Sequence, residues 1–158
     1  MKTELASSLV LGVLLSLCSP GAAAAQTRPV SLISTGSGVI VIVDITVGGS
    51  TRHLLLDTGA TITVLSPESA GWSPADAVRS ASHHSIVGLG GGAHSMGTTT
   101  AALDFGQTVV VTQAAVAELT DLSKALHIKL GGILGQDVLF QFARITIDYK
   151  HKQMILEK

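Results

Sequence analysis

The chain has 158 residues and a formal net charge of −1 at pH 7, and it contains no long basic or acidic run. That balance gives no bulk electrostatic attraction to nucleic acid or to an anionic membrane, so we expect no nucleic-acid partner. Hydrophobic residues make up 46% of the chain and aromatic residues only 3%, so the core must be aliphatic. Such a composition, rich in valine, isoleucine, threonine and glycine, favours an all-β domain of short strands.

Residues 1–25 have the layout of a secretory signal peptide. Lys2 precedes an apolar core from Leu9 to Leu17, and a run of alanines that ends at Ala25 provides a small-residue cleavage site. The apolar core has about half of the roughly 20 residues that a membrane-spanning helix needs. The sequence therefore predicts a secreted or periplasmic protein with no stable membrane anchor after cleavage.

The remaining residues, 26–158, are enough for one compact domain and too few for two lobes. Cys18 is the one cysteine of the chain and lies in the predicted signal peptide, where the bulky Leu17 before it disfavours lipidation. The mature chain would therefore have no disulfide, no thiolate nucleophile and no cysteine-ligated metal. We expect Gln26 to Ser37, which is polar, to be a loose or interface-bound arm, and residues 38–158 to form the domain.

The domain begins with a predicted hairpin. Val39 to Val47 is typical of a strand that is buried along most of its length, Gly48-Gly49-Ser50 of a turn, and Arg52 to Leu56 of the returning strand. Thr61 to Leu65 is a further short strand. Ser66-Pro67-Glu68 follows it and suits a helix start, with a serine cap and proline in the first turn.

Two more hairpins are predicted in the rest of the chain. His83 to Val87 and Ser95 to Phe105 flank a glycine cluster, Gly88 to Gly92, which indicates a hairpin with a flexible tip. Arg144 to Tyr149 and Gln153 to Glu157 form the closing hairpin.

Between these hairpins the sequence predicts one more strand and the helical segments. Val109 to Leu119 is strand-like, and Thr120 to Ile128 suits a short helix capped by Thr120. Gln136 to Phe142 is predicted as the one clear helix, in the C-terminal half. The whole pattern indicates a single all-β domain.

The strongest chemical signal is the segment Leu54-Leu55-Leu56-Asp57-Thr58-Gly59-Ala60-Thr61. A strand this apolar ends in a carboxylate, whose desolvation is costly unless it has partners. Gly59 permits a tight turn that offers amide donors to Asp57, and the Thr58 hydroxyl can bond to a neighbour. An aspartate that merely caps a turn is the simpler interpretation, but the apolar triplet and Ala60-Thr61 favour a catalytic carboxylate.

This segment resembles the signature of the retropepsin-like aspartic proteases, in which an apolar strand runs into Asp-Thr-Gly-Ala or Asp-Thr-Gly-Ser. Gly88-Leu89-Gly90-Gly91 is similar to the glycine-rich flap tip of the retroviral members. Ile133-Leu134-Gly135, with the helix after it, is similar to the apolar-apolar-Gly element of the family. The last segment, ARITIDYKHKQMILEK, resembles the C-terminal hairpin of bacterial and cellular members. Together the matches cover most of residues 39–158.

The resemblance implies an all-β, single-lobe fold with a closed, barrel-like core. It also implies an aspartic endopeptidase that acts on a peptide or protein substrate and needs no cofactor or metal. In the family, two carboxylates share one proton: one activates a water molecule and the other donates a hydrogen bond to the scissile carbonyl. This chain has a single Asp-Thr-Gly and no Asp-Ser-Gly. The resemblance therefore implies a homodimer in which a second chain supplies the second Asp57. It implies the following site residues: the catalytic Asp57; the active-site frame Thr58, Gly59 and Ala60; and the flap Gly88, Leu89, Gly90, Gly91 and Gly92.

The sequence departs from the retroviral pattern in three places, and each limits which properties of the retroviral proteases can be inferred for this chain. Gln136-Asp137 stands where retroviral members have an Arg-Asn pair, which puts their dimer-supporting arginine contacts in doubt. Gly92-Ala93 replaces bulkier residues and indicates looser closure of the flap. Ala60 lacks a hydroxyl that could donate to the carboxylate pair, so we expect a less acidic pH optimum than in a serine-bearing relative.

Other interpretations remain open. The same fold could serve as a non-catalytic dimerisation or peptide-binding module. Ser95, in Ala93-His94-Ser95-Met96-Gly97, could be the nucleophile of a serine hydrolase, but Thr98-Thr99-Thr100 after it favours a strand where that motif needs a helix. His83, His84 and His94 match no metal-ligand spacing and are predicted to be exposed residues of the flap arms.

Overall fold

The computed structural model describes residues 25–73, 75–76, 84–88 and 91–158. The predicted signal peptide, apart from Ala25, therefore lies outside the described residues. Among the residues that are described, no helix has the length and hydrophobicity needed to cross a membrane.

The described residues form a mostly β structure, which confirms the predicted fold class. The strands are β1 Gln26–Thr35, β2 Gly38–Val47, β3 Ser50–Leu56, β4 Val64–Leu65, β5 His84–Gly88, β6 Gly91–Asp104, β7 Val109–Ala117, β8 Gly132–Leu134, β9 Arg144–Asp148 and β10 Gln153–Glu157. The helices are α1 Thr120–Leu126 and α2 Gln136–Leu139.

All ten strands belong to one sheet, in the order β5-β6-β7-β4-β8-β3-β2-β1-β10-β9. Strand β6 also pairs with β2, through Thr46 with Asp104 and Val47 with Leu103. This extra pairing closes β2, β3, β8, β4, β7 and β6 into a ring, as the prediction of a barrel-like core requires. Most pairs are antiparallel, but β3 runs parallel to β8 and β4 runs parallel to β7.

The core lies inside this ring and is aliphatic, as the composition predicts. Side chains from four of its strands are fully buried there, namely Val43, Ile45, Leu54, Leu65 and Leu103. A smaller apolar cluster, which includes Leu119 and Leu130, lies on the α1 side of the sheet. Removal of this apolar surface from water is the main force that stabilises the fold.

Most of the predicted arm from Gln26 to Ser37 is not loose, because Gln26–Thr35 forms strand β1, and its place at an interface stays a prediction. Its first four residues pair with β10, from Gln26 with Leu156 to Pro29 with Gln153. Its last six pair with β2, from Val30 with Val43 to Thr35 with Gly38. The sequence did not indicate this strand because its side chains show no apolar alternation. Few residues of β1 are buried, and the strand is held by backbone hydrogen bonds to β10 and β2.

The three predicted hairpins are present as β2–β3, β5–β6 and β9–β10. The predicted strand at Thr61 to Leu65 is shorter than expected, since only Val64–Leu65 pairs. After it, a single turn replaces the predicted helix start. In this turn the Ser69 amide donates to the Ser66 hydroxyl at 3.2 Å, and the Ala70 amide donates to the Ser66 carbonyl at 2.9 Å.

The helices also differ from the prediction in detail. Helix α1 is present, but its N-cap residue is Leu119 and no side chain caps it. The hydroxyl of Thr120, the predicted cap, donates to the Glu118 carboxylate at 3.3 Å instead. Helix α2 ends at Leu139 rather than Phe142, because tighter turns follow and bring Phe142 into the core. There its ring packs edge-on against Phe105, with the ring centroids 5.2 Å apart.

Candidate active site

Asp57 directly follows β3 at the point where two parallel strands, β3 and β8, end together. Leu56 pairs with Leu134, and the Asp57 amide then donates to the Leu134 carbonyl at 3.1 Å. The carboxylate Oδ1 of Asp57 accepts a hydrogen bond from the Gly59 amide at 2.8 Å. The sequence predicted this amide donor, and the tight turn is closed by the Ala60 amide, which donates to the Asp57 carbonyl at 3.2 Å.

The loop from Asp57 to Thr63, here called the Asp57 loop, is fixed by the start of α2. The backbone amide of Gln136 donates to the Ala60 carbonyl at 2.8 Å, and that of Asp137 donates to the Thr61 carbonyl at 3.3 Å. The side-chain amide of Gln136 donates to the Thr58 carbonyl at 2.8 Å. The predicted frame residues Thr58, Gly59 and Ala60 therefore lie between Asp57 and α2.

Gly135 allows α2 to approach the Asp57 loop this closely. A Cβ atom at position 135 would lie 2.5 Å from the carbonyl carbon and oxygen of Ile62, a distance that real Cβ atoms do not adopt. Any other residue at this position would therefore force the helix start away from the loop.

A buried polar network ties the far end of the Asp57 loop to the barrel. The carboxylate of Asp137 accepts hydrogen bonds from the hydroxyls of Thr63 at 2.8 Å and Thr112 at 2.7 Å. The Thr63 hydroxyl also accepts from the Gly135 amide at 3.1 Å. Sequence reasoning missed this network, although the fully buried Thr63 beside the apolar Val64 and Leu65 was an available signal.

The predicted flap lies at the end of the β5–β6 hairpin. Val87 pairs with Gly92 and Gly88 pairs with Gly91, as expected for the two arms of a flap. Leu89 and Gly90, which were predicted to form its tip, lie outside the described residues. The role of the flap in binding substrate therefore stays a prediction.

The serine hydrolase interpretation lacks the local structure it needs. Ser95 is in the middle of the long strand β6, with 7% of its surface exposed, and no helix follows it. Its hydroxyl donates to the Gly97 carbonyl at 3.0 Å. His83 lies outside the described residues, and the side chains of His84 and His94 are not described, so the histidine prediction stays untested.

Two carboxylates away from the Asp57 loop have shifted pKa values. Hydrogen bonds from Lys129 and Arg52 lower the pKa of Glu68 below its usual 4.5. A hydrogen bond from His151 lowers the pKa of Asp148 below its usual 3.8. Both groups are exposed ion-pair partners, so their shifts indicate surface contacts rather than acid–base catalysis.

One cavity of the described residues is also distinct from the Asp57 loop. It is an open groove of about 900 Å³ between α1 and the turn after β4, and Trp72 lines it together with Ile128. Trp72 is half-buried, and its amide donates to the Pro67 carbonyl at 2.8 Å.

A closed barrel with an Asp-Thr-Gly loop at the end of two parallel strands defines a single-lobe acid protease fold. The family model described as aspartyl protease matches residues 43–138, which is more than half of the chain. The chain belongs to the aspartyl protease family.

The chain is also similar to several solved structures. A retropepsin-like aspartic protease from Rickettsia conorii is 17% identical, with a TM-score of 0.50 over 84% of this chain and 93% of that chain. The retroviral protease-like domain of Ddi1 from Leishmania major is 17% identical, with a TM-score of 0.47 over 75% and 92% of the two chains. The EIAV protease in complex with an inhibitor is 21% identical, with a TM-score of 0.43 over 72% and 86%. The comparison with curated protein sequences gave no significant match. The likeness to the rickettsial protein concerns the fold, which is retropepsin-like as the sequence predicted.

Proposed function

We propose that this protein is an aspartic endopeptidase that works as a homodimer, with a water molecule activated between two Asp57 carboxylates. The observation that carries the proposal is the position of Asp57. It follows the apolar end of β3, where Leu54 is fully buried, its carboxylate accepts a hydrogen bond from the Gly59 amide at 2.8 Å, and its loop is hydrogen-bonded to α2. Each chain has one Asp-Thr-Gly, so the second carboxylate must come from another copy.

The chemistry follows from two acids placed close together. Like charges at short distance do not both ionise, so the pair holds one proton and titrates as a unit. The ionised Asp57 takes a proton from the water, which attacks the scissile carbonyl carbon. The protonated Asp57 of the other subunit donates a hydrogen bond to the carbonyl oxygen, where negative charge develops. The fixed amide of Gly59 keeps the carboxylate oriented throughout.

The substrate we propose is an extended peptide or an unfolded protein segment. The β5–β6 hairpin offers a flap under which such a segment could lie and pair its backbone as an added strand. Proteins outside the cytoplasm would be the natural substrates, because residues 1–25 have the layout of a signal peptide.

The first test is the variant Asp57→Asn, which keeps the size of the side chain and removes the ionisable group. We expect cleavage of an unfolded protein substrate to fall by about 10³-fold or more, as for other losses of a reacting group. The matched control is Asp121→Asn, since the Asp121 side chain is fully exposed and its one ion pair among the described residues is with Lys124, at 3.6 Å. Sedimentation velocity should show the same association state for both variants.

Full activity of Asp57→Asn would refute the proposal. A different result, in which the wild type binds peptides and a carboxylate-directed inhibitor such as pepstatin without cleaving anything, would support the non-catalytic binding module instead.

A further inference from the structure

The peptide group that joins Thr58 to Gly59 contacts both Asp57 and Gln136. A peptide group is planar and trans, so its carbonyl and its N–H point in opposite directions. On one side the Gly59 N–H donates to the Asp57 carboxylate at 2.8 Å. On the other side the Thr58 carbonyl accepts from the Gln136 side-chain amide, also at 2.8 Å. A single rigid group therefore links Gln136 to Asp57.

We infer that Gln136 is a positioning residue for the Asp57 carboxylate, an inference that rests on the proposed function. Its hydrogen bond fixes the rotation of the Thr58–Gly59 peptide plane, so that the Gly59 N–H stays directed at Oδ1 of Asp57. The same bond polarises the peptide group, and a peptide whose carbonyl accepts a hydrogen bond is a stronger N–H donor.

The other hydrogen bonds of the Asp57 loop do not replace this contact. The backbone amides of Asp57, Gln136 and Asp137 fix the positions on either side of the Thr58–Gly59 peptide. Among the described residues, the Gln136 side chain is the donor to the Thr58 carbonyl. Without it, the peptide plane could rotate while both ends of the loop stayed in place.

Gln136 can do this because its own backbone is fixed. Its amide donates to the Ala60 carbonyl at 2.8 Å, and the glycine before it is packed against the backbone of Ile62. A side chain that starts from a rigid base loses little further freedom when it binds. Since the donor and the acceptor belong to one chain, each subunit sets the orientation of its own Asp57 before a second copy binds.

The test compares the variants Gln136→Met, Gln136→Arg and Gln141→Met. Methionine has a similar length and no donor, whereas arginine restores a donor with similar reach. Gln141 is the matched control, since its amide donates to the Asp137 carbonyl at 3.4 Å and not to the Asp57 loop. We expect Gln136→Met to lower kcat about tenfold with KM within about twofold of the wild type, because the lost contact acts on the reacting group.

Further readouts separate positioning from a general loss of structure. Gln136→Arg should recover most of the lost kcat, and Gln136→Met should have the same thermal midpoint as Gln141→Met. Amide hydrogen exchange of Gly59 should be faster in Gln136→Met than in the wild type. This exchange does not depend on catalysis, so it tests the contact even if the Asp57→Asn experiment overturns the proposed function.

Three results would overturn the inference. They are a wild-type kcat in Gln136→Met, an equal loss of kcat in Gln141→Met, and unchanged exchange at the Gly59 amide. A rise in KM at constant kcat would also contradict it, because Gln136 would then act on substrate binding.

Discussion

The Asp57 carboxylate accepts a hydrogen bond from a residue close to it in sequence, and the Asp57 loop is held by residues far from it in sequence. Only the local contact could be predicted. The Gly59 amide lies two residues away, so the Asp-Thr-Gly pattern itself predicts the contact. Gln136 lies 78 residues from Thr58, and Asp137 lies 74 residues from Thr63. No local pattern links such positions, because the sheet brings them together through the β3–β8 pairing. The site residues that sequence reasoning missed are therefore those whose partners are remote in the chain.

Ala60 allows a prediction about the pH dependence of the proposed reaction. A hydroxyl at this position could donate to the carboxylate pair and favour its ionised form, which lets the reaction run at lower pH. We expect Ala60→Ser to move the pH optimum of cleavage to a more acidic value. Initial rates measured across the pH range for both proteins check this, and an unchanged or higher optimum would reject it.

At the scale of elements, the hairpins and strand β7 were predictable, whereas strand β1 was not. The β2–β3 hairpin has a buried apolar strand, a Gly-Gly-Ser turn and a return strand in sequence, so each part supports the others. Strand β1 has no such support, because its partners β2 and β10 meet it on opposite halves of its length. The end of α2 was also missed, because the chain turns more tightly after Leu139 to bury Phe142 against Phe105.

Strand β8 depends on close packing at Gly132. A Cβ atom there would lie 2.6 Å from the Val64 carbonyl oxygen, a backbone atom that cannot move without disturbing the β4–β8 pairing. We expect Gly132→Ala to lower the free energy of unfolding by about 1–3 kcal/mol, the usual cost of overpacking. Urea denaturation of the purified protein measures the change.

The matched control is Gly38→Ala, at the first residue of β2. A Cβ atom at Gly38 would meet nothing within 4 Å, so this substitution should leave the free energy of unfolding unchanged or raise it slightly. Equal effects of the two substitutions would show that backbone entropy, and not the contact with Val64, decides the stability of Gly132→Ala.

At the scale of the whole molecule, each folded chain supplies one of the two Asp57 carboxylates in the proposed site. The all-β class was predictable from composition and strand pattern, and the barrel from the family resemblance. Its closure through the β6–β2 pairing was not, since that pairing joins residues far apart in the chain. The number of chains in the proposed active unit is inferred from the count of Asp-Thr-Gly segments rather than from the fold.

Mixed dimers test this count directly. If one Asp57 comes from each of two chains, added Asp57→Asn chains should lower the activity of a fixed amount of wild-type protein. Random exchange predicts about half of the activity at equal amounts and about a tenth at a ninefold excess of the variant. Added Asp121→Asn chains should cause no loss. Activity that does not change with added Asp57→Asn, under conditions in which labelled chains exchange, would show that one chain is sufficient.

The contacts between the Asp57 loop and α2 also determine how much of the chain must be synthesised before the proposed peptidase activity can appear. A nascent chain that stops before residue 134 already contains the acidic residue, but it lacks Leu134, Gly135, Gln136 and Asp137, which hold the loop. Under the proposed function, catalytic competence therefore cannot arise until residues 134–137 have been synthesised and a second folded copy has bound. Incomplete translation products would carry the reactive acid in an unfixed loop and would not cleave their neighbours.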